Sequence, residues 1–322
     1  MPLEPIRSLV QSDLDATDQF ICTGLKSDIA FINQLVEYII HCGGKRIRPM
    51  LVLLTAHAFR HQKQQHIDLA AAIELIHTAT LLHDDVVDNA TLRRGQQTAN
   101  AIWGNEASVL VGDFLYSRAF QLIVQLQNLS VITIFSNATN VIAEGEVMQL
   151  INCHDPDTSE PSYFEVIERK TAKLFEVATQ AGAALATDTA VHLTAMQLYG
   201  KHLGIAYQLI DDALDYRATA AQTGKNIGND LAEGKPTLPL IYALRQGRNS
   251  EVALIREAIQ QGSTNNLNAI IEIIESTGAI EYTANAAKQH AHRASHWLRD
   301  IPDSPYRHAL HNLAEFVVER TY

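Results

Sequence analysis

The chain has 322 residues, 47% of them apolar and 19% charged, the composition of a soluble globular protein. Its 25 basic and 36 acidic side chains leave a net charge of −11, which argues against a general nucleic-acid binder and makes any basic cluster a local feature. No run of roughly 18 or more apolar residues occurs, so no membrane-spanning helix is predicted.

The N-terminal stretch "MPLEPIRSLVQSDLDATDQF" mixes acids into every turn and does not read as a signal peptide. Cys22, Cys42 and Cys153 are far apart and odd in number, and read as reduced thiols of a cytoplasmic protein. "CGGKRIRP" (42–49) is a glycine-rich turn that enters a helix and carries Lys45, Arg46 and Arg48. Backbone amides and the helix dipole there favour an anion. Lys45 and Arg48 share a face, whereas Arg46 points elsewhere and reads as a surface charge. The segments 67–88, 107–127, 130–151, 162–186 and 192–216 carry apolar residues at helical spacing, several of them nearly all round, as inner helices of a large bundle do. Shorter helical segments follow residue 237, and no convincing strand alternation occurs. "TGKNIGNDLAEGKPTLP" (223–239) is polar, charged and too long for a simple connection, which suggests a lid or binding loop. Nothing divides the chain, so residues 1–322 read as a single all-α domain.

Two of the predicted helices end in acids. "LLHDDVVDNATLRRG" (81–95) holds Asp84, Asp85 and Asp88, and "YQLIDDALDY" (207–216) repeats the spacing with Asp211, Asp212 and Asp215. At 100° per residue the first and last acids of each triad lie about 40° apart on one face, and the middle one points aside. Like charges at that spacing repel unless a cation lies between them. One such triad could be a solvated helix end. Two, each on a buried-looking helix, predict a paired metal site. The ligands are all oxygen, with no Cys–His spacing suited to zinc nearby, which favours Mg2+, as several ions bridged by an anion such as a diphosphate.

The cations fit that chemistry. Arg93 and Arg94 follow the first triad, and arginine forks suit phosphate oxygens. Lys170 and Thr171 add a cation and a hydroxyl on an inner helix, Lys225 and Lys235 bracket the long loop, and Gln208 lies one turn before Asp211 and Asp212. His77 lies two turns before Asp84 on nearly the same face, suggesting phosphate contact.

"GGKRIRP", "IHTATLLHDDVVDNATLRRG", "LVGDFLYSRAF", "VIAEGEVMQL", "KTAKLFE", "YQLIDDALDY" and "GKNIGNDLAEGKPTLPL" occur in this order. Together they resemble the trans-type polyprenyl diphosphate synthases, most closely those bacterial members that make the octaprenyl chain, from about residue 5 to the C-terminus. The resemblance implies an isoprenoid-synthase bundle around a deep central cavity, a homodimer, and a prenyltransferase that adds isopentenyl diphosphate to an allylic diphosphate such as farnesyl diphosphate. By that likeness Asp84, Asp88 and Asp211 hold Mg2+ on the allylic diphosphate, and Asp85, Asp212 and Asp215 belong to the same motifs. Lys45, Arg48, His77 and Arg94 would bind isopentenyl diphosphate; Arg93, Lys170, Thr171, Gln208, Lys225 and Lys235 the allylic one. The family gates chain length four and five residues before the first motif, here Thr80 and Ala79, both small, which implies a long product, of eight units by overall similarity. Such a product implies a quinone side chain and transient membrane contact. Helix angles place Thr80 near the Asp84 face and Ala79 off it. Asn89, Gln96 and Tyr207 depart from the family's usual residues without touching the aspartates.

Three other readings are weaker. A terpene cyclase would have no use for the second diphosphate site at "GGKRIRP". A di-iron bundle needs two Glu-x-x-His pairs, and only "ELIH" (74–77) is present. A silent partner subunit should have lost acids from one triad, and both are intact.

Overall fold

The computed structural model describes residues 2–41, 44–93, 95–217 and 227–320. Helices α1 (Glu4–Ser8), α2 (Gln11–Gly24), α3 (Ala30–His41), α4 (Ile47–Ala58) and α5 (Gln65–Val87) lead into a small antiparallel hairpin, β1 (Leu92–Arg93) and β2 (Gln96–Gln97), with Leu92 opposite Gln97. Then come α6 (Ala99–Trp103), α7 (Asn105–Gln125), α8 (Leu129–Asn152), α9 (Glu160–Ile167), a π turn (Glu168–Ala172), α10 (Lys173–Ala184) and α11 (Ala190–Asp215). Helices α12 (Asn229–Ala232), α13 (Leu238–Gln246), α14 (Asn249–Gln261), α15 (Leu267–Ser276), α16 (Ala279–Trp297) and α17 (Pro305–Glu319) complete the chain.

Local sequence explains several of the boundaries. Asn128, Ser159 and Ser304 each accept a hydrogen bond from a backbone amide three residues on, and so start α8, α9 and α17. Proline follows in the first turn of α9 and α17, where its missing N–H costs nothing. The all-α reading holds, and the predicted helices fall within a few residues of their expected bounds, with one exception. The segment 162–186 is α9, a π turn and α10 rather than one α-helix.

Helices α5 and α11 are the axis of the bundle. α5 packs on α7, α4 and α2; α11 packs on α10 and α16. The face of α5 from Leu69 to Ile76 is buried throughout, as its alanine-rich apolar run requires. The largest core cluster joins α2, α4, α5, α7, α8, α10 and the start of α11, around Leu51, Leu69, Phe135, Phe175 and Tyr199. A second, around Leu231, Ile255, Ile259 and Ile274, holds α12 to α15 together against the end of α11. A third, with Tyr163, Ala172, Leu209 and Leu238, lies between α9, α11 and α13.

Among the described residues α7 is one helix long and apolar enough to cross a membrane, although no uninterrupted apolar run marks it. Here it packs along α5. Cys22 and Cys153 are free thiols, and Cys42 lies outside the described residues.

Candidate active site

The C-terminal ends of α5 and α11 open onto one cavity of about 690 Å³. Acids at a helix C-terminus oppose the macrodipole, at a cost of about 0.3–1 kcal/mol each, so a stability role does not account for them. Cations offset the cost. Asp84 is 3.2 Å from Lys170 Nζ, Asp88 is 2.9 Å from Lys235 Nζ, and Asp211 is 2.8 Å from Arg320 Nη1.

The middle acid of each triad is held by protein donors instead. Asp85 is buried and accepts from Arg93 Nε at 2.8 Å and Nη2 at 2.7 Å, and it does not line the cavity. Burial raises its pKa against the pull of Arg93. Asp212, 2% exposed in the cavity wall, accepts from the Tyr163 hydroxyl and from Gln208 Nε2 at 2.7 Å. Burial pushes its pKa up to about 7. Asp215 accepts from the backbone amides of Asn229 at 3.2 Å and Asp230 at 3.0 Å, which ties α11 to α12.

The π turn supplies Lys170 and Thr171. It lies between two glycines. A Cβ on Gly145 of α8 would come 2.7 Å from Lys170 N, and one on Gly204 of α11 would come 2.6 Å from Ala172 Cα. Only bare backbones let α8 and α11 close on this turn. Lys170 also donates to Gln149 Oε1 at 2.7 Å and pairs with Glu146. Burial, then Asp84, raises Glu146 to about 7. Burial works against the charge on Lys170, and Asp84 and Glu146 outweigh it. Glu233 and Asp88 do the same for Lys235. Thr171 Oγ1 donates to Gln208 Oε1 at 3.0 Å.

The entry of α4 contributes Lys45 and Arg48 to the same cavity. Arg48 Nη1 is 3.0 Å from His77 Nε2, and its guanidinium lies over the Phe175 ring at 4.6 Å. Arg46 is not the surface charge its direction suggested. It bonds Glu74 at 2.6 Å and Asp18 at 3.1 Å with its side chain only 12% exposed, and its φ of 50° makes the tight entry to α4. Here a buried ion pair locks the loop that presents its two neighbours.

Lys45, Arg48, His77, Thr80, Asp84, Asp88, Arg93, Lys170, Thr171, Gln208, Asp211, Asp212, Asp215 and Lys235 thus line one cavity. Asp85 and Ala79 do not, and Ala79 is fully buried. Arg94 and Lys225 lie outside the described residues. The cavity also takes in Glu146, Gln149, Tyr163, Asp230, Glu233 and Arg320, none singled out from the sequence. Glu146 and Gln149 had a signal, two polar groups three apart on an apolar helix. Arg320 had none: it lies over the Tyr207 ring at 3.7 Å, reached from the far end of the chain.

A second cavity of about 730 Å³ adjoins the first and shares Thr80, Asp84, Asp88, Glu146, Gln149 and Glu233 with it. It runs between α5, α7 and α8 past Tyr116, Ile142, Ala143, Val147 and Leu150. A charged compartment therefore adjoins a more apolar one, with Thr80 in their common wall.

Comparison with known proteins agrees with this architecture. Residues 29–275 match the Polyprenyl synthetase family. The octaprenyl diphosphate synthase of Haemophilus influenzae is 49% identical over 100% of this chain and 98% of its own. That of Escherichia coli is 49% identical over 99% of each. Among solved structures, a polyprenyl synthase from Caulobacter crescentus, complexed with calcium and isoprenyl diphosphate, superposes with a TM-score of 0.96 at 40% identity, covering 100% of this chain and 98% of that one. With its helical bundle, its two facing acid-tipped helices and this full-length similarity, the chain belongs to the polyprenyl synthetase family of prenyltransferases.

Proposed function

We propose that the protein condenses isopentenyl diphosphate repeatedly onto an allylic diphosphate, such as farnesyl diphosphate, to make an all-trans polyprenyl diphosphate of eight isoprene units. One observation carries this reading: a carboxylate- and lysine-lined cavity that shares a wall with a more apolar cavity of similar size. The first suits a diphosphate, and the second suits the hydrocarbon that grows from it.

The donor set fits magnesium. Asp84, Asp88 and Asp211 offer carboxylate oxygens to one cavity in which, among the described residues, no thiolate or paired imidazole competes, the preference of a hard cation. Bound there, Mg2+ ions would supply Lewis-acid neutralisation of the diphosphate and make it a better leaving group. Lys170, Thr171, Gln208, Arg93 and Lys235 then orient the allylic diphosphate, a role that extends to Lys225. Lys45, Arg48 and His77 hold isopentenyl diphosphate on the opposite side, with Arg94 assigned to the same end. In this reading the isopentenyl double bond lies beside the allylic carbon as the carbon–oxygen bond breaks. The electron pair leaves with the diphosphate, the double bond attacks the cation, and a proton passes from the adduct to the departing diphosphate. The buried walls keep water from the cation.

The reading extends to assembly. Leu110, Val124, Leu129, Val147, Leu150 and Ile151 of α7 and α8 are exposed, and Val147 and Leu150 also line the second cavity. A large exposed apolar patch marks an interface, and a second copy of this chain on that face would close the cavity side. We place such a homodimer in the cytoplasm, delivering its apolar product to a membrane for attachment as a quinone side chain.

The test is incubation of the purified protein with farnesyl diphosphate, labelled isopentenyl diphosphate and Mg2+, followed by dephosphorylation and mass spectrometry of the products. A dominant eight-unit chain that disappears with a chelator is expected. A different dominant length would move the floor of the apolar cavity. Ionisation without condensation would favour a cyclase over the second-diphosphate role of Lys45, Arg48 and His77.

A further inference from the structure

A second polar cluster, two half-buried side chains around a buried one, lies at the opposite end of α5. His66, in the first turn, lies eighteen residues before Asp84, about 27 Å away along the helix. Three helices meet there: α2 brings Asp13, the last turn of α4 brings His57, and α5 brings His66. One carboxylate oxygen and two imidazole nitrogens lie within 4.8 Å of one another. Asp13 Oδ2 is 2.5 Å from His57 Nε2 and 3.4 Å from His66 Nε2.

The ring hydrogens explain why this is more than an ion pair. His66 Nδ1 lies 2.7 Å from the Lys63 carbonyl oxygen. A carbonyl only accepts, so Nδ1 carries a proton. In the neutral ring Nε2 then holds a bare lone pair. That atom is buried without a hydrogen bond, in a residue only 7% exposed, and what it faces is another acceptor. His61 repeats the pattern next door. Its Nδ1 donates to the Leu185 carbonyl at 3.2 Å, its Nε2 is buried without a partner, and its ring is 5.7 Å from that of His66. Burial and the neighbouring His66 lower the His61 pKa, which keeps that ring neutral. An imidazole anchored through one N–H to a backbone carbonyl, with the other nitrogen bare, is how proteins prepare a histidine to bind metal.

We infer that Asp13, His57 and His66 form a structural binding site for a transition-metal dication of the Zn2+ class, with a fourth position open to water. Two imidazoles and one carboxylate suit such an ion and not Mg2+, which prefers oxygen alone. Bonds of about 2.0–2.1 Å in a tetrahedron put ligand atoms roughly 3.3 Å apart, close to the Asp13–His66 separation, and the His57–Asp13 contact opens by about 1 Å. Bound there, the ion ties α2, α4 and α5 together at their ends remote from the diphosphate cavity. It acts on the scaffold and leaves the chemistry to the other end.

The experiment uses the full-length protein, stripped of metal and then held in excess Mg2+ so that the carboxylate-lined cavity is saturated. Zn2+ is titrated by calorimetry, and Co2+ is added as a spectroscopic probe. One Zn2+ per chain, tetrahedral Co2+ absorption bands and a raised Tm are expected. His66→Gln and Asp13→Asn, each checked for folding by circular dichroism, should weaken Zn2+ at least about tenfold, while Asp84→Asn should leave it unchanged. Absence of binding by the folded native protein overturns the site and leaves a proton shared among Asp13, His57 and His66. Binding that survives both cluster variants but is lost in Asp84→Asn overturns it equally, by placing the metal in the other cavity.

Discussion

Replacing Gly204 by alanine sets two known effects against each other. Alanine in a helix interior is favoured over glycine by about 1 kcal/mol. Against that, the new Cβ on α11 would lie 2.6 Å from Ala172 Cα, 2.9 Å from Ala172 Cβ and 3.1 Å from Phe175 Cβ. These are backbone and first side-chain atoms and have no rotamer by which to withdraw, so α11 must move from the π turn. Overpacking of that kind costs about 1–3 kcal/mol, and the lack of any yielding neighbour puts this site at the upper end. The net expectation is destabilisation by about 1–2 kcal/mol, a fall in Tm of several degrees in a chain of this size. Function should suffer more than stability. The displaced turn carries Thr171, whose 3.0 Å bond to Gln208 fixes the spacing across the site, and Lys170, which faces Asp84. The assay is thermal unfolding together with steady-state turnover, with Gly24→Ala as control, where the added Cβ meets only the Phe20 ring at 3.7 Å or more. A Gly204→Ala protein as stable and as active as the native one would refute the claim that this glycine sets the approach of α11 to the turn.

Asp84→Ala should lower turnover by at least about 10²–10³-fold while leaving the fold within about 1 kcal/mol of the native one, because Lys170 keeps Glu146 and Gln149 as partners; activity of a well-folded variant near the native level would remove Asp84 from the metal-binding role. Thr80→Phe, in the wall common to the two cavities, should shorten the product, whereas Ala79→Phe, buried and lining neither, should cost about 1–3 kcal/mol of stability by overpacking. Product sizing by mass spectrometry decides between them, and the reverse outcome would move the gate to Ala79. His202 and His290 face each other at 3.1 Å between α11 and α16, with Phe164 stacked on His290 and Lys201, Arg293 and Glu168 nearby; burial first, then Arg293 and Lys201, and for His290 the facing His202 ahead of them, push both pKa values down to about 4. The unfolded chain protonates them near 6.5, so stability is intact above that pH and is lost as pH falls towards 4, by on the order of 2 kcal/mol for the pair once solvent screening is discounted. Urea midpoints at pH 7 and pH 5 should differ in that direction and differ less in His202→Gln; an unchanged difference would assign the effect to other groups.

How much of this was legible in advance depended on whether a feature is set by one helix or by two. Helical periodicity placed α5, α7, α8 and α11 within a few residues, because each carries its own apolar pattern. It also put Asp84 with Asp88, and Asp211 with Asp215, on one face, and turned Asp85 and Asp212 aside. What it could not show is where those middle acids arrive. Asp85 meets Arg93 from the hairpin, and Asp212 meets Tyr163 from α9. Grouping all six acids in two like motifs therefore merged groups that face the cavity with groups that fix its walls. The π turn was hidden for the same reason: the one-residue shift at Glu168–Ala172 belongs to its packing between Gly145 and Gly204, which lie on other helices. Arg46 was wrongly read as a surface charge pointing away, since its partners Asp18 and Glu74 stand 28 residues away on either side and it lines the cavity with Lys45 and Arg48. The histidine cluster is the extreme case. His57, His61 and His66 straddle the α4–α5 connection, where no helical period applies, and Asp13 lies more than forty residues earlier. Its presence depends on three helices arriving together, with the lone pairs left bare by bonds to the carbonyls of Lys63 and Leu185. A motif is readable when its chemistry repeats along one helix; a site assembled across helices becomes visible only when its unsatisfied atoms can be counted.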